Sequence, residues 1–169
     1  MMPLAKQKKL TQKRLHEVLD YDQKTGFFTW KVSLTNSVPA GSRAHNVMPP
    51  RGYIRIGVDG EIFLAHRLAW FYVHGEWPDL LDHIDRNTSN NRLSNLRRAT
   101  QSQNHQNQGL SKRNTSGVKG VSWDKARVKW KLHIAAGNKK KQIRFDTKEQ
   151  AIAARKDAED KYFGEFAAS

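Results

Sequence analysis

Four polar residues between positions 82 and 104 have the types and spacing of a metal-assisted hydrolytic site. Asp82 and His83 are adjacent, Asn95 follows twelve residues after His83, and Asn104 lies nine residues further on. In an extended chain neighbouring side chains point to opposite faces, so the carboxylate and the imidazole can have different roles. Aspartate and asparagine oxygens suit a hard cation such as Mg²⁺. A neutral histidine can take a proton from an attacking water.

The same stretch also admits a purely structural interpretation. Asp-His pairs arise by chance, and asparagine-rich loops usually form turns. We expect Asn87, Asn90 and Asn91 to shape the loop through bonds between side chain and backbone. His66 and His74 flank an apolar helix and are expected to be structural. Residue types alone therefore leave catalysis open.

Local signals predict the elements that position these residues. Asp59-Gly60 separates two apolar runs and favours a tight hairpin turn, and Gly75 is suited to end a helix. Thr100 with Gln103 three residues later fits a capping box. The predicted helices cover 10–19 (with Thr11 as cap), 66–74 and 100–107, and the predicted strands cover 27–32, 53–58, 61–64 and 80–84.

The segment DHIDRNTSNNRLSNLRRATQSQNHQNQ (82–108), with HRLAWFYVHG (66–75), resembles the core of phage-type HNH homing and nicking endonucleases. That family has an Asp-His pair, an asparagine-rich turn ending in Asn-Leu-Arg, and an asparagine or histidine on the next helix. The resemblance implies a ββα-metal fold that hydrolyses DNA with Mg²⁺ or another divalent cation such as Mn²⁺. It implies that His83 is the general base, that Asp82 and Asn104 bind the metal, and that Asn95 orients the histidine. Asn104 stands where the family name has its last histidine.

Charge points to a polyanionic partner. The chain has 169 residues with 30 Lys and Arg against 16 Asp and Glu, and a formal charge of +14. A surplus of this size is typical of nucleic-acid binding. The chain has no cysteine, which excludes disulfides and thiolate zinc sites. It shows neither a signal-peptide core nor an apolar run of the roughly 20 residues that span a bilayer. We therefore expect no membrane partner and a soluble, cytoplasmic protein in the bacterial host of a phage.

The positive charge is concentrated in residues 111–144, which hold eleven basic residues against Asp124 alone. Strands are predicted at 118–123, 127–134 and 139–145, with a turn at Gly137-Asn138. A helix capped by Asp146 or Thr147 is expected to follow and to stop at Gly164. Alternation places Val128, Trp130, Leu132 and Ile134 on the inner face of the sheet and the cations on the other. Arg155 is expected on the solvent-exposed face of the helix, among side chains of both charges.

Three segments within 114–166 resemble the plant ethylene-response-factor (APETALA-type) DNA-binding domain. They are SGVKGVSWD, RVKWKLHI and FDTKEQAIAARKDAEDKYFGEFA. That family has three antiparallel strands and one helix, and its sheet enters the major groove. The resemblance to this domain implies DNA contacts by Lys119, Trp123, Lys125, Arg127, Lys129, Lys131 and Arg144. Independently of that resemblance, Arg97 and Arg98 are candidates for binding DNA phosphates.

The sequence thus predicts an α+β protein in two parts. Residues 1–108 are the HNH nuclease domain with its core at 53–108, residues 109–117 are a linker, and residues 112–169 are the DNA-binding domain. The expected function is metal-dependent cleavage of double-stranded DNA. Two alternatives stay open: a sequence-specific, transcription-factor-like DNA-binding protein with an inactive nuclease fold, and an RNA-directed protein that stacks bases on Trp123 and Trp130. The target sequence, nicking as against double-strand cleavage, the biological role and the oligomeric state stay undetermined.

Overall fold

A computed structural model describes residues 10–50, 52–111, 114–136 and 139–162. Its contacts divide the chain into two compact units, Met1–Arg98 and Ala99–Ser169. The division falls ten residues before the one predicted at 108, because the helix at 101–107 is held by a residue of the second unit. Lys119 donates to the carbonyl oxygens at the end of that helix.

The first unit mixes short helices with three antiparallel sheets. Its elements are α1 (Gln12–Val18), β1 (Leu19–Asp22), β2 (Phe27–Trp30), β3 (Asn46–Met48), β4 (Tyr53–Val58), β5 (Glu61–Leu64), α2 (Ala65–His74), β6 (Leu81–His83) and β7 (Leu96–Arg98). Strand β1 pairs with β2, β4 lies between β3 and β5, and β6 pairs with β7. Phe28, Leu15, Leu19 and Leu68 are among the fully buried side chains of its core.

Local signals account for the ends of these elements. The Thr11 hydroxyl accepts from the backbone N–H of Arg14 and caps α1. Asp59 and Gly60 have φ values of 47° and 79°, which the tight turn between β4 and β5 requires. Gly75 ends α2 in the left-handed conformation. These three predictions are confirmed.

The second unit begins with α3 (Gln101–Asn107), which starts at Thr100 with the predicted capping box to Gln103. Strands β8 (Val121–Asp124), β9 (Lys129–Ala136) and β10 (Lys139–Phe145) form an antiparallel sheet with β9 in the centre, followed by α4 (Lys148–Tyr162). Thr147 and Gln150 bond reciprocally at the start of α4. The buried core of this unit is Val121, Leu132, Ile134, Ala151 and Ala158.

Strand β8 starts at Val121, three residues later than predicted, and two further predictions for this unit are wrong. Strand β9 starts at Lys129, so Arg127 and Val128 lie in the preceding turn, and Val128 is 70% exposed instead of facing the core. Arg155 is 5% exposed, whereas the sequence predicts a solvent-exposed side chain, and its guanidinium donates to the Glu159 carboxylate. The predicted turn at Gly137-Asn138 and the predicted helix stop at Gly164 lie outside the described residues. None of the described helices has the length and apolar character needed to cross a membrane.

Candidate active site

Strand β6 carries the two residues at the centre of the candidate site. Asp82 is 9% exposed and His83 is 5% exposed. In the register of β6 and β7, Asp82 lies opposite Arg97 and His83 lies opposite Leu96. As predicted for an extended pair, the two side chains have different surroundings. Asp82 contacts a guanidinium, whereas His83 lies among rings.

The Asp82 carboxylate forms a nearly buried ion pair with Arg97. Its Oδ2 accepts from Arg97 Nη2 at 2.8 Å and from Nε at 3.0 Å. The two side chains are 10% and 12% exposed. Because an isolated buried carboxylate is costly, the guanidinium partner offsets the cost of burying Asp82 in this position. Arg97 was predicted to contact DNA, and the structure places it against the candidate metal ligand.

His83 packs against two other rings of the first unit. The His66 ring lies nearly perpendicular to it with centroids 5.0 Å apart, and the Tyr53 centroid is 6.0 Å away. Burial lowers the pKa of His83, and this outweighs the contacts with Asn91, Asp85 and Asp82, which raise it. The imidazole is therefore held in its neutral form, the form that accepts a proton.

His66 is the second buried histidine of this site. Burial lowers its pKa from 6.5 to about 3, with smaller contributions from His83 and Arg67. Its Nδ1 is buried and has no hydrogen-bond partner among the described residues. The sequence assigned His66 a structural role, and its packing against Tyr53 and His83 links that role to the candidate base.

The side chain of Asn91 lies within hydrogen-bond distance of the imidazole of His83, a contact that sequence reasoning missed. Its Oδ1 lies 3.4 Å from His83 Nε2, and the residue is 1% exposed. Tyr21 Oη donates to its backbone carbonyl at 2.7 Å. Gly26, with φ of 77°, allows the close approach, because a Cβ there would lie 2.5 Å from the Asn91 carbonyl carbon. The loop that carries Asn91 is thus held against the hairpin of β1 and β2.

Asn95, which the resemblance implies orients the histidine, bonds through its side chain to the loop that follows His83. Its Oδ1 accepts from the backbone N–H of Asp85 at 3.0 Å. Its Nδ2 donates to the Asp85 carboxylate at 2.9 Å and to the Asn90 carbonyl at 2.8 Å. Its backbone carbonyl accepts from Ile84 at 2.9 Å. Any effect of Asn95 on His83 therefore passes through residues 84–90.

Most of the remaining candidates lie on or near the sheet of the second unit, where several cations are paired. Asp124 accepts from Arg144 at 3.1 Å and lies 3.6 Å from Arg127. Lys129 pairs with Asp146. The strongly one-signed face expected from the sequence is therefore partly neutralised. Trp123 is 40% exposed and packs edge-on against Trp130, and Lys125 is exposed.

Two predicted DNA contacts, Lys119 and Arg98, have partners of another kind. Lys119 binds backbone carbonyls of α3. Arg98, in the first unit, pairs with Glu76. Lys131 is half-buried in the middle of β9, opposite Ser122 and Arg144.

The oxygen donors at Asp82 and Asn104 fit a magnesium-like cation. Mg²⁺ is commonly held by one or two carboxylates together with waters and substrate phosphates. One carboxylate and one amide are consistent with that pattern. In the described parts of the chain, no three His, Cys, Asp or Glu side chains group in a way that could hold a metal. Asn104 lies in α3, in the second unit.

In chain order, the buried Asp-His pair is followed by the second strand of its hairpin and then by a capped helix, the ββα order of a nuclease core. Residues 63–106 match the family model described as HNH endonuclease. The chain is 40% identical over 81 residues to Protein 3.8 of Escherichia phage T7, a match that covers 47% of this chain and 67% of that protein. The chain belongs to the HNH endonuclease family.

A solved structure, of DNA binding and cleavage by the HNH homing endonuclease I-HmuI, is also similar to this chain. The similarity covers 81% of this chain and 76% of that one, with 22% sequence identity and a TM-score of 0.42.

Proposed function

We propose that this protein is a metal-dependent endonuclease that hydrolyses phosphodiester bonds in double-stranded DNA. One observation carries the proposal: the buried Asp82-His83 pair on the β6–β7 hairpin lies within the segment that matches the HNH endonuclease family. A buried, ring-packed histidine next to a buried carboxylate is an arrangement suited to proton transfer beside a cation.

His83 is the proposed general base. When Nε2 carries the proton and donates to Asn91 Oδ1, Nδ1 keeps its lone pair and can accept a proton from water. The oxygen of that water attacks phosphorus as the bond from phosphorus to the leaving oxygen breaks, and the leaving oxygen is then protonated from solvent. Asn91 fixes the ring, while Asn95 fixes the loop from which Asn91 extends.

Asp82 and Asn104 are the proposed ligands of Mg²⁺ or a similar cation such as Mn²⁺. When bound, the cation supplies stabilisation of the negative charge that develops on the scissile phosphate and the leaving oxygen. Arg97 is then a positioning residue, because it donates two hydrogen bonds to the same carboxylate oxygen of Asp82.

The second unit is proposed to bind duplex DNA through its sheet. Three antiparallel strands followed by one helix are the order that the resemblance to the ethylene-response-factor domain implies. Lys125, Lys131 and Lys140 offer positive charge along the turn and strands, and Arg127, Lys129 and Arg144 can exchange their carboxylate partners for phosphates. The functional division into 1–108, a linker at 109–117, and 112–169 is part of this proposal.

The test is cleavage of supercoiled plasmid with Mg²⁺ or with EDTA, by the native protein, His83→Ala and the control His45→Ala. His45 is an exposed histidine of the same unit. We expect Mg²⁺-dependent conversion to open-circle or linear DNA by the native protein and the control. The cleavage rate of His83→Ala should be lower by about 10²-fold or more, and this variant should still bind DNA in a gel-shift assay.

Two results would contradict the proposal. Equal cleavage by His83→Ala would remove the histidine from the chemistry. Binding without cleavage of any plasmid or phage genomic DNA, by all three proteins, would favour a DNA-binding protein with an inactive nuclease fold.

A further inference from the structure

One lysine, Lys119, binds the C-terminal end of α3. Lys119 Nζ donates to the backbone carbonyl of Gln106 at 2.9 Å, to that of Gln108 at 2.7 Å, and to that of His105. The last carbonyls of a helix have no partner within the helix. An ammonium group has three N–H donors, which match these three acceptors. Its charge also suits the negative end of the helix dipole.

Helix α3 depends on such caps because it has only seven residues. An isolated helix of this length is unstable in water. Its N-terminal end is fixed by the reciprocal bonds of Thr100 and Gln103. Its C-terminal end is fixed by Lys119, so both ends of the helix that carries Asn104 are anchored.

Lys119 lies in a loop that is attached to the central strand of the sheet. Ser116 is 3% exposed, and its hydroxyl oxygen lies 2.7 Å from the carbonyl oxygen of Val121 and 2.9 Å from that of Val118. The backbone N–H of His133 donates to the Gly120 carbonyl at 2.8 Å. Gly120, with φ of 75°, allows this contact, because a Cβ there would lie 2.6 Å from the His133 carbonyl oxygen. The position of the sheet therefore determines the position of Lys119.

We propose that Lys119 is a positioning residue for Asn104, which ties the metal ligand on α3 to the DNA-binding sheet. This inference rests on the proposed function. It also assigns Lys119 a role other than the DNA contact that the sequence predicts. The bond network from β9 through Gly120 and Lys119 to the end of α3 lies within one unit.

The test compares Lys119→Met, Lys119→Arg and a matched control, Lys131→Met, in the full-length chain. Lys131 lies on β9 and was also predicted to bind DNA. The first measurement is a Mn²⁺ titration followed by paramagnetic broadening of the Asn104 side-chain amide. The second is amide hydrogen exchange of residues 103–107 without metal or DNA. The third is the Mg²⁺ concentration that gives half-maximal cleavage at saturating DNA.

We expect Lys119→Met to need about tenfold more metal in both titrations, in line with other changes in the support of metal ligands. The amides of α3 should exchange faster, while DNA affinity without metal should stay as in the native protein. Lys119→Arg keeps the charge and should recover part of the loss. Lys131→Met should weaken DNA binding and leave the metal dependence unchanged.

The results separate the two proposals. An unchanged metal dependence in Lys119→Met, with weaker DNA binding, would overturn the positioning role and restore the DNA contact. If Lys119→Met does not fold and Lys119→Arg does, the arginine variant is compared with the native protein. The positioning role is likewise overturned if the metal dependence and the α3 amide exchange of Lys119→Arg both equal those of the native protein. If Mn²⁺ does not broaden the side-chain amide signal of Asn104 in the native protein, the metal-ligand assignment and this inference are both overturned. If Mn²⁺ broadens the Asn104 signal of the native protein but the protein does not cut DNA, only the proposed activity is contradicted.

Discussion

His66 should make the first unit less stable in mild acid. Its pKa lies at about 3 in the folded protein, against 6.5 as the ordinary value. The unfolded chain therefore binds more protons than the folded one between these two pH values. The stability that comes from burying a neutral His66 is complete above the upper value and is lost as the pH falls through this window.

The size of the effect follows from the shift. One pKa unit corresponds to about 1.4 kcal/mol, so this histidine alone should cost about 2 kcal/mol of unfolding free energy between about pH 7.5 and about pH 5. Replacing His66 by phenylalanine keeps a ring against Tyr53 and His83 and removes the titrating group. The pH dependence of the variant should be flatter than that of the native protein by that amount.

The assay is urea unfolding of the full-length chain at several pH values, followed by NMR cross-peaks of Leu68 and Ala69, which are fully buried in α2. His45→Phe makes the same substitution at an exposed site of the same unit and should leave the pH profile unchanged. Parallel pH profiles for the native protein and His66→Phe would show that His66 is accessible to protons in the folded state, and would refute the argument from burial.

Two further predictions concern charged side chains, one in each unit. Arg97→Met should lower the unfolding free energy by about 3 kcal/mol, because it leaves the nearly buried Asp82 carboxylate without its partner; Asp82→Asn in the same chain should recover much of that loss, and additive effects in the double-mutant cycle would contradict the pairing. Lys131→Met should reduce the slope of log affinity against log salt by about 0.9 in DNA-binding titrations. An unchanged slope would remove Lys131 from the set of phosphate contacts.

The elements of this fold were predictable wherever their signals are local. The turn at Asp59-Gly60, the cap at Thr11 and the capping box at Thr100 each depend on residues within four positions of one another. Strand β9 was placed two residues too early, because Arg127 and Val128 continue the alternation of the strand into a turn. Alternation cannot show where pairing ends, since that depends on the register with β8 and β10.

The candidate site was predictable in its central pair but not in the side chains around it. Adjacent Asp82 and His83 were recognisable from their types. Their partners Arg97, His66 and Asn91 are brought to them by strand register, by the docking of α2 and by the fold of the loop, respectively. Several asparagines in one loop look alike in sequence, so only the structure distinguishes the one that faces the imidazole from the one that organises the loop.

The difference between the predicted and observed boundaries has a consequence for the proposed mechanism. The motif from Asp82 to Asn104 is continuous in sequence, so the sequence assigned it to one domain. The contacts divide the chain at 98, so α3 with Asn104 belongs to the same unit as the sheet that we propose binds DNA. Within that unit, Lys119 joins the loop before β8 to the end of α3. The proposed role of Asn104 therefore depends on the same fold as the proposed DNA contacts, and loss of that fold should lower metal binding at Asn104 along with DNA affinity.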